Sequence, residues 1–152
     1  MAAKGFKENE NVKYDRQNAQ ADQSNLQNIA QRFVSNKVDL ICAIATPTAQ
    51  TMANATKDIP IVATAVTDYE VAKLAASNNE PKGNVTGTSD MNPIDQQLEL
   101  LLKIAPQTKN IGTVYSSSEV NSQLQAELLK KYAAEKGVQV EDCLLYTSPS
   151  PR

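Results

Sequence analysis

The feature that most narrows the fold is an alternation. Short β-branched, apolar runs at residues 38–45 (VDLICAIA), 61–65, 84–88 (NVTGT) and 110–115 (NIGTVY) are each followed by a longer amphipathic stretch. Parallel strands need a crossover of a dozen or more residues, usually a helix, before the next strand can lie beside the last. The chain therefore reads as an α/β protein with helices layered on a parallel sheet. Its 152 residues and 41% hydrophobic content are enough for a core.

Helix signals fall between the runs. Residues 12–17 (VKYDRQ) alternate like a strand, and Asp22 or Ser24 then offers a cap for a helix over 25–35, whose Leu26, Ile29, Ala30, Phe33 and Val34 share one face. The run 38–45 is apolar almost throughout, the pattern of a strand buried on both faces, which makes Cys42 a small core side chain. Thr46, Pro47 and Thr48 open a helix to about Thr56, and a short helical piece carrying Lys73 is expected over 70–76. Residues 77–83 read as a loop, and Gly87 interrupts the strand at 84–88. Ser89, Asp90 and Pro93 precede a helix that Pro106 stops, with Lys103 on its solvated side. Residues 116–119 open a last long helix with Gly137 as its C-terminal glycine, and 138–141 begin another strand. The segment 144–152 (LLYTSPSPR) departs from this pattern and resembles the translation of a sequencing adapter, so it is set aside as a non-native tail.

Composition removes several kinds of chemistry. Fifteen basic residues stand against seventeen acidic ones, a net charge of -2 that gives no attraction for nucleic acid. With no histidine, Ser-His-Asp and Cys-His catalysis and imidazole metal ligation are excluded, and two distant cysteines make neither a zinc site nor a disulfide framework. No phosphate-binding glycine loop or pair of carboxylates at a catalytic spacing is present, so the sequence points to neither catalytic nor metal-binding residues and implies no cofactor.

Three small polar clusters remain, and each follows a strand: Thr46, Pro47 and Thr48; Thr67 and Asp68; Ser116, Ser117 and Ser118. Ligands of open α/β sheets bind outside the strands' C-terminal ends, where helix N-termini present unpaired N–H groups. Serine and threonine also cap helices in any α/β protein, so each cluster has a purely structural reading too. Asp68 could hold an ammonium or sugar hydroxyls, or cap the next turn; Asp90 has the same two readings; Asn121 could offer donor and acceptor from the rim of the last helix. Tyr69 and Tyr115 follow strand ends and could flank a cleft, whereas Tyr14 and Tyr132 are simply scattered.

The stretches VDLICAIATPTAQTMANATKDIPIVATAVTD and GNVTGTSDMNPIDQQLELLLKIAPQTKNIGTVYSSSEVNSQ resemble the substrate-binding proteins of ABC transporters, in the family that includes tryptophan and tyrosine uptake receptors. The resemblance covers about residues 5–141. It implies a type I periplasmic binding protein with two three-layer, Rossmann-like parallel-sheet lobes and a ligand between them, a carrier and not an enzyme. Residues 1–89 then form the first lobe and 90–143 the start of the second, with Ser89 and Asp90 at the hinge. Thr46, Pro47, Thr48, Thr67 and Asp68 face the ligand from one lobe, and Ser116, Ser117, Ser118 and Asn121 from the other. The implied ligand is an amino acid, aromatic favoured; the partner is an ABC permease; the location is extracytoplasmic, with or without a lipid anchor. A sugar or nucleoside receptor, a ligand-sensing regulator domain and an α/β enzyme share this fold and stay open as alternatives. By the same resemblance the targeting segment, the first strand and most of the second lobe lie outside these residues, leaving strand edges unpaired. Asp68, Tyr69 and Glu70 stand where the family has Asp-Pro.

Overall fold

The computed structural model describes residues 2–81 and 83–145, and they build two small parallel sheets, each with its own core. A 3₁₀ turn at Ala2–Lys4 leads into extended chain, and helix α1 (Gln23–Ser35) starts where Asp22 accepts the amide of Asn25 at 2.7 Å. Strand β1 (Ile41–Ile44), helix α2 (Thr46–Ala55) and strand β2 (Ile61–Val66) form a βαβ unit. A hairpin of β3 (Ala75–Ser77) and β4 (Glu80–Pro81) precedes β5 (Val85–Ser89). The first sheet has the order β1-β2-β5, all parallel. Helix α3 (Ile94–Ile104), strand β6 (Asn110–Ser116), helix α4 (Val120–Glu135) and strand β7 (Gln139–Leu145) follow, with β6 and β7 parallel.

The larger core lies between the first sheet and its helices, with Leu26, Ala30, Ile41, Met52, Ile61, Val66 and Tyr69 at its centre. The second gathers Leu98, Ala133 and Val138, with Leu102, Ile111 and Tyr132 packed around them. Two helices close on the same device. Val138 donates to Ala133 at 2.9 Å and Gly137 to Ala134 at 3.1 Å, with Gly137 left-handed at φ 70, so the end of α4 buries Val138 against the core as it reverses. At the end of α1, Lys37 takes that glycine-type position at φ 50.

Four expectations from the sequence need correction. Of the strand expected at 12–17, Val12 makes an isolated bridge to Glu8, and 13–19 pair with no strand among the described residues, since a cavity separates them from the free edge of β1. The segment is held by side chains instead: Arg16 to Glu8 at 2.6 Å and Arg32 to Asp15 at 2.8 Å. The run 38–45 is buried on one face only, so Cys42 is exposed and Ile44 is 67% exposed. Residues 70–76 form no helix: the Asp68 carboxylate captures the amide of Val71 at 2.8 Å, Lys73 turns left-handed at φ 60, and the chain enters the hairpin where a loop was expected. Strand β7 runs on into Leu144 and Leu145, two residues of the segment set aside; the rest of it, 146–152, lies outside the described residues.

Candidate functional site

Strands β1 and β2 end side by side and both endings are strained. Ala45 has φ 81 and ψ 152, a region essentially reserved for glycine, and Ala65 has φ 55 where the β2–β5 register shifts. Both alanines line a cavity of about 2660 Å³. That is well beyond the roughly 300–1,000 Å³ of a single ligand pocket. The cavity joins a trough along β1, walled by residues 12–23, to a cleft at the strand ends. Both parts carry polar side chains, but the cleft is the part lined from both segments, by Thr46 and Thr48 on one side and Ser116, Ser118, Glu119 and Asn121 on the other.

From the first sheet, Thr46, Pro47 and Thr48 enter the cleft on the first turn of α2. Ala45 cannot cap this helix with a side chain and no acidic residue lies in its first turn, so the helix's partial positive charge is uncompensated where Thr46 and Thr48 line the cleft. From the other side come Ser116, Ser118, Glu119 and Asn121, at the end of β6 and the start of α4. Lys73 joins from the turn before the hairpin, which Gln50 ties to α2 through the carbonyl of Ala72 at 3.0 Å.

The cavity holds an unusual concentration of unmet hydrogen-bonding capacity. Among the described residues, three buried side-chain polar atoms lack a partner: Tyr14 Oη, Thr46 Oγ1 and Asn121 Oδ1. All three residues line this cavity. Thr46 is only 1% exposed. Each such orphan costs about 1–3 kcal/mol; Thr46 and Asn121 lie at the cleft, where an incoming molecule can supply partners, and Tyr14 lies in the wall of the trough.

The remaining residues singled out from the sequence sit behind this surface. Thr67 is buried and its carbonyl accepts Ser89 Oγ at 2.7 Å. Asp68 lies outside the lining with both oxygens engaged, Oδ1 by the Val71 amide and Oδ2 by Asn78 Nδ2, each at 2.8 Å. The carbonyl of Ser117 receives Gln123 at 2.6 Å. Asp90 is exposed, and its amide donates to Val66 at 3.0 Å, so the exit from β5 is laced to the end of β2. Tyr69 is a core residue whose hydroxyl donates to the Ala63 carbonyl at 3.0 Å; burial, with the charge of Asp90 as a lesser cause, pushes its phenol pKa above the ordinary 10.0. Tyr115 bonds Asp142 at 3.3 Å, and neither tyrosine lines the cavity. Tyr14, Ala45, Ala65, Lys73 and Glu119 do, unforeseen from the sequence. Of these, only Glu119, directly after three serines, carried a usable signal there.

Comparison with known proteins gives the family of the chain. Residues 1–148 match the family described as ABC transporter substrate binding protein. A tyrosine-binding protein of Clostridioides difficile (strain R20291) is 50% identical over 145 residues, which cover 95% of this chain and 42% of that one. An ABC domain from Streptococcus pneumonia, solved in complex with L-Trp, superposes with a TM-score of 0.90 at 44% identity, covering 95% of this chain and 48% of that one. A ligand-free, open substrate binding protein with adhesive properties from Clostridium difficile gives 0.69 at 49% identity, covering 96% and 50%. The chain thus spans half or less of the length of these relatives.

Proposed function

The chain belongs to the ABC transporter substrate-binding protein family, and from that premise we propose that the protein is an extracytoplasmic receptor that captures an amino acid, aromatic by preference, and hands it to an ABC permease. Its α/β architecture of parallel sheets is that of the type I periplasmic binding proteins. In this reading residues 1–89 are a first lobe, 90–143 begin a second, and Ser89 and Asp90 lie at the hinge between them. The observation that carries it is that two orphaned polar atoms, Thr46 Oγ1 and Asn121 Oδ1, line the cleft from its two sides.

Ligand contacts follow from that lining. The bare N-terminus of α2 takes the ligand carboxylate, through the amides of Thr46 and Thr48 and the Thr46 hydroxyl, while Pro47 sets the turn without contributing a donor. Ser116, Ser118 and Asn121 close on the ligand from the other side; Thr67, Asp68 and Ser117 support the two walls through their hydrogen bonds. Better superposition on the L-Trp complex than on the open, ligand-free relative is in keeping with a closed arrangement of the two segments. A preference for an aromatic side chain draws on the tyrosine and tryptophan of the relatives' descriptions.

Calorimetry on the full-length protein against L-tryptophan, L-tyrosine, L-leucine, hexoses and nucleosides tests the reading. Saturable binding of the aromatic amino acids is expected. Tight binding of a sugar or nucleoside with no amino-acid response overturns it.

A further inference from the structure

We infer that Glu119, assisted by Asn121, receives the ammonium group of the ligand, so that the ligand lies across the cleft with its carboxylate on α2 and its amine on α4; this rests on the amino-acid reading above. A zwitterion needs an anionic partner at one end. Asp68, the acid that the sequence offers first, has both oxygens committed to its own turn and stands outside the cavity lining. Glu119 is half-buried and lines the cleft; its Oε2 accepts Ser122 Oγ at 3.2 Å, and Oε1 has no partner among the described residues. Two positions on, the Asn121 Oδ1 acceptor is buried without a donor. An ammonium brings three donors and no acceptor, which is the complement of these two groups.

The field across the cleft runs the same way. Helix α2 begins with no acid in its first turn, and Lys73 lies beside it through the Gln50 tether, so that side favours an anion. Helix α4 begins at Glu119, whose carboxylate offsets the helix's partial positive charge and repels a second one. Negative charge is therefore welcome on the α2 side and positive charge on the α4 side. Only one orientation of an α-amino acid satisfies both walls.

The test compares three probes on the full-length protein: L-tryptophan, tryptamine, which lacks the carboxylate, and indole-3-propionate, which lacks the amine. Glu119→Gln should weaken L-tryptophan and tryptamine by about ten- to a hundred-fold, the range for a hydrogen bond to a charged group, and leave indole-3-propionate within about three-fold. Ser122→Ala, which removes the internal partner of Glu119 but no charge, should keep L-tryptophan binding. If glutamine disturbs the start of α4, seen as a lowered melting midpoint, Glu119→Asp must show the same split between amine-bearing and amine-free probes, because it keeps the charge at the start of α4 and shortens the reach. Wild-type protein that binds L-tryptophan while Glu119→Gln binds it equally well overturns the Glu119 assignment and leaves the receptor reading standing. Equal weakening of all three probes also overturns it, since the residue then acts through cleft structure alone. Wild-type protein that binds no amino acid removes the receptor reading itself.

Discussion

Gly87 sits where strand β5 crosses the irregular end of β2, and a single methyl group there should be among the most damaging changes in the first sheet. A Cβ on Gly87 would lie 1.8 Å from the Ala63 carbonyl oxygen and 2.3 Å from the Tyr69 hydroxyl. The first clash is with backbone, so no rotamer change relieves it; β5 must retreat by more than an ångström from its partner. That retreat strains the β2–β5 ladder and pulls the Tyr69 hydroxyl from its bonds to Ala63 at 3.0 Å and Thr88 at 3.3 Å. Overpacking costs about 1–3 kcal/mol and a stranded buried hydroxyl about 1–3 kcal/mol more, so Gly87→Ala should destabilise by about 3–5 kcal/mol. Against a total of about 5–15 kcal/mol this is a large share. Urea denaturation of the full-length protein, followed by circular dichroism, measures it. Tyr69→Phe alone should cost about 1–2 kcal/mol. Because the backbone clash persists without the hydroxyl, the double variant should be no more stable than Gly87→Ala by more than about 1 kcal/mol. A Gly87→Ala protein within about 1 kcal/mol of wild type, or one rescued by Tyr69→Phe, refutes the close-approach argument.

Other consequences can be checked with the same preparations. Thr46→Val keeps the shape and removes an orphaned hydroxyl, so the ligand-free protein should gain about 1 kcal/mol in a urea melt while L-tryptophan binding weakens about tenfold in calorimetry. Ala45→Gly should relieve the strain at φ 81 and stabilise the ligand-free protein by about 0.5–2 kcal/mol, whereas Ala45→Val should destabilise it; a loss of stability on the glycine change contradicts the strain. The Tyr69 phenol has its pKa raised in the folded protein, so its contribution is intact below the ordinary value of 10.0 and is lost as pH rises through the folded value. Urea melts at neutral and strongly alkaline pH should show a smaller alkaline loss for Tyr69→Phe than for wild type.

Where caps and periodicity agreed, the sequence was enough. Helices α1, α2, α3 and α4 fall within a few residues of their apolar faces, and Gly137 closes α4 as its place after the last periodic residue implied. The failures share a cause: they depended on partners distant in sequence. Residues 12–17 carry a strand pattern, but a strand exists only beside another, and among the described residues they have no partner beyond the isolated bridge from Val12 to Glu8. Val71, Ala72 and Leu74 mimic a helical face, yet the Asp68 carboxylate and the Asn78 amide, which receives and gives bonds across the turn, settle the segment as turn and hairpin. Cys42 looked buried because periodicity reports how apolar a strand is, not whether both faces are covered. In the site, the small polar clusters were visible because their chemistry is local. Lys73 and Tyr14 were not, since only the folding of the turn and of residues 13–19 brings them to the cavity.

The contrast between the starts of α1 and α2 separates capping from binding better than composition could. Asp22 closes the first turn of α1 on itself, accepting the Asn25 amide, and that helix end is complete without help. At α2 the equivalent position is Ala45, which has no side-chain acceptor and sits in a conformation that disfavours any residue but glycine. Aspartate or serine there would share the strain of alanine, because a side-chain cap works from the extended geometry that Asp22 has at φ -95. The start of α2 and the orphaned Thr46 hydroxyl are thus left without a side-chain cap beside the cavity. An uncapped helix end, a strained alanine and an unmet hydroxyl at three points within two residues are separately small defects. Under the proposed function they form one set of donors for a carboxylate, and a bound ligand would supply the cap that the chain leaves out.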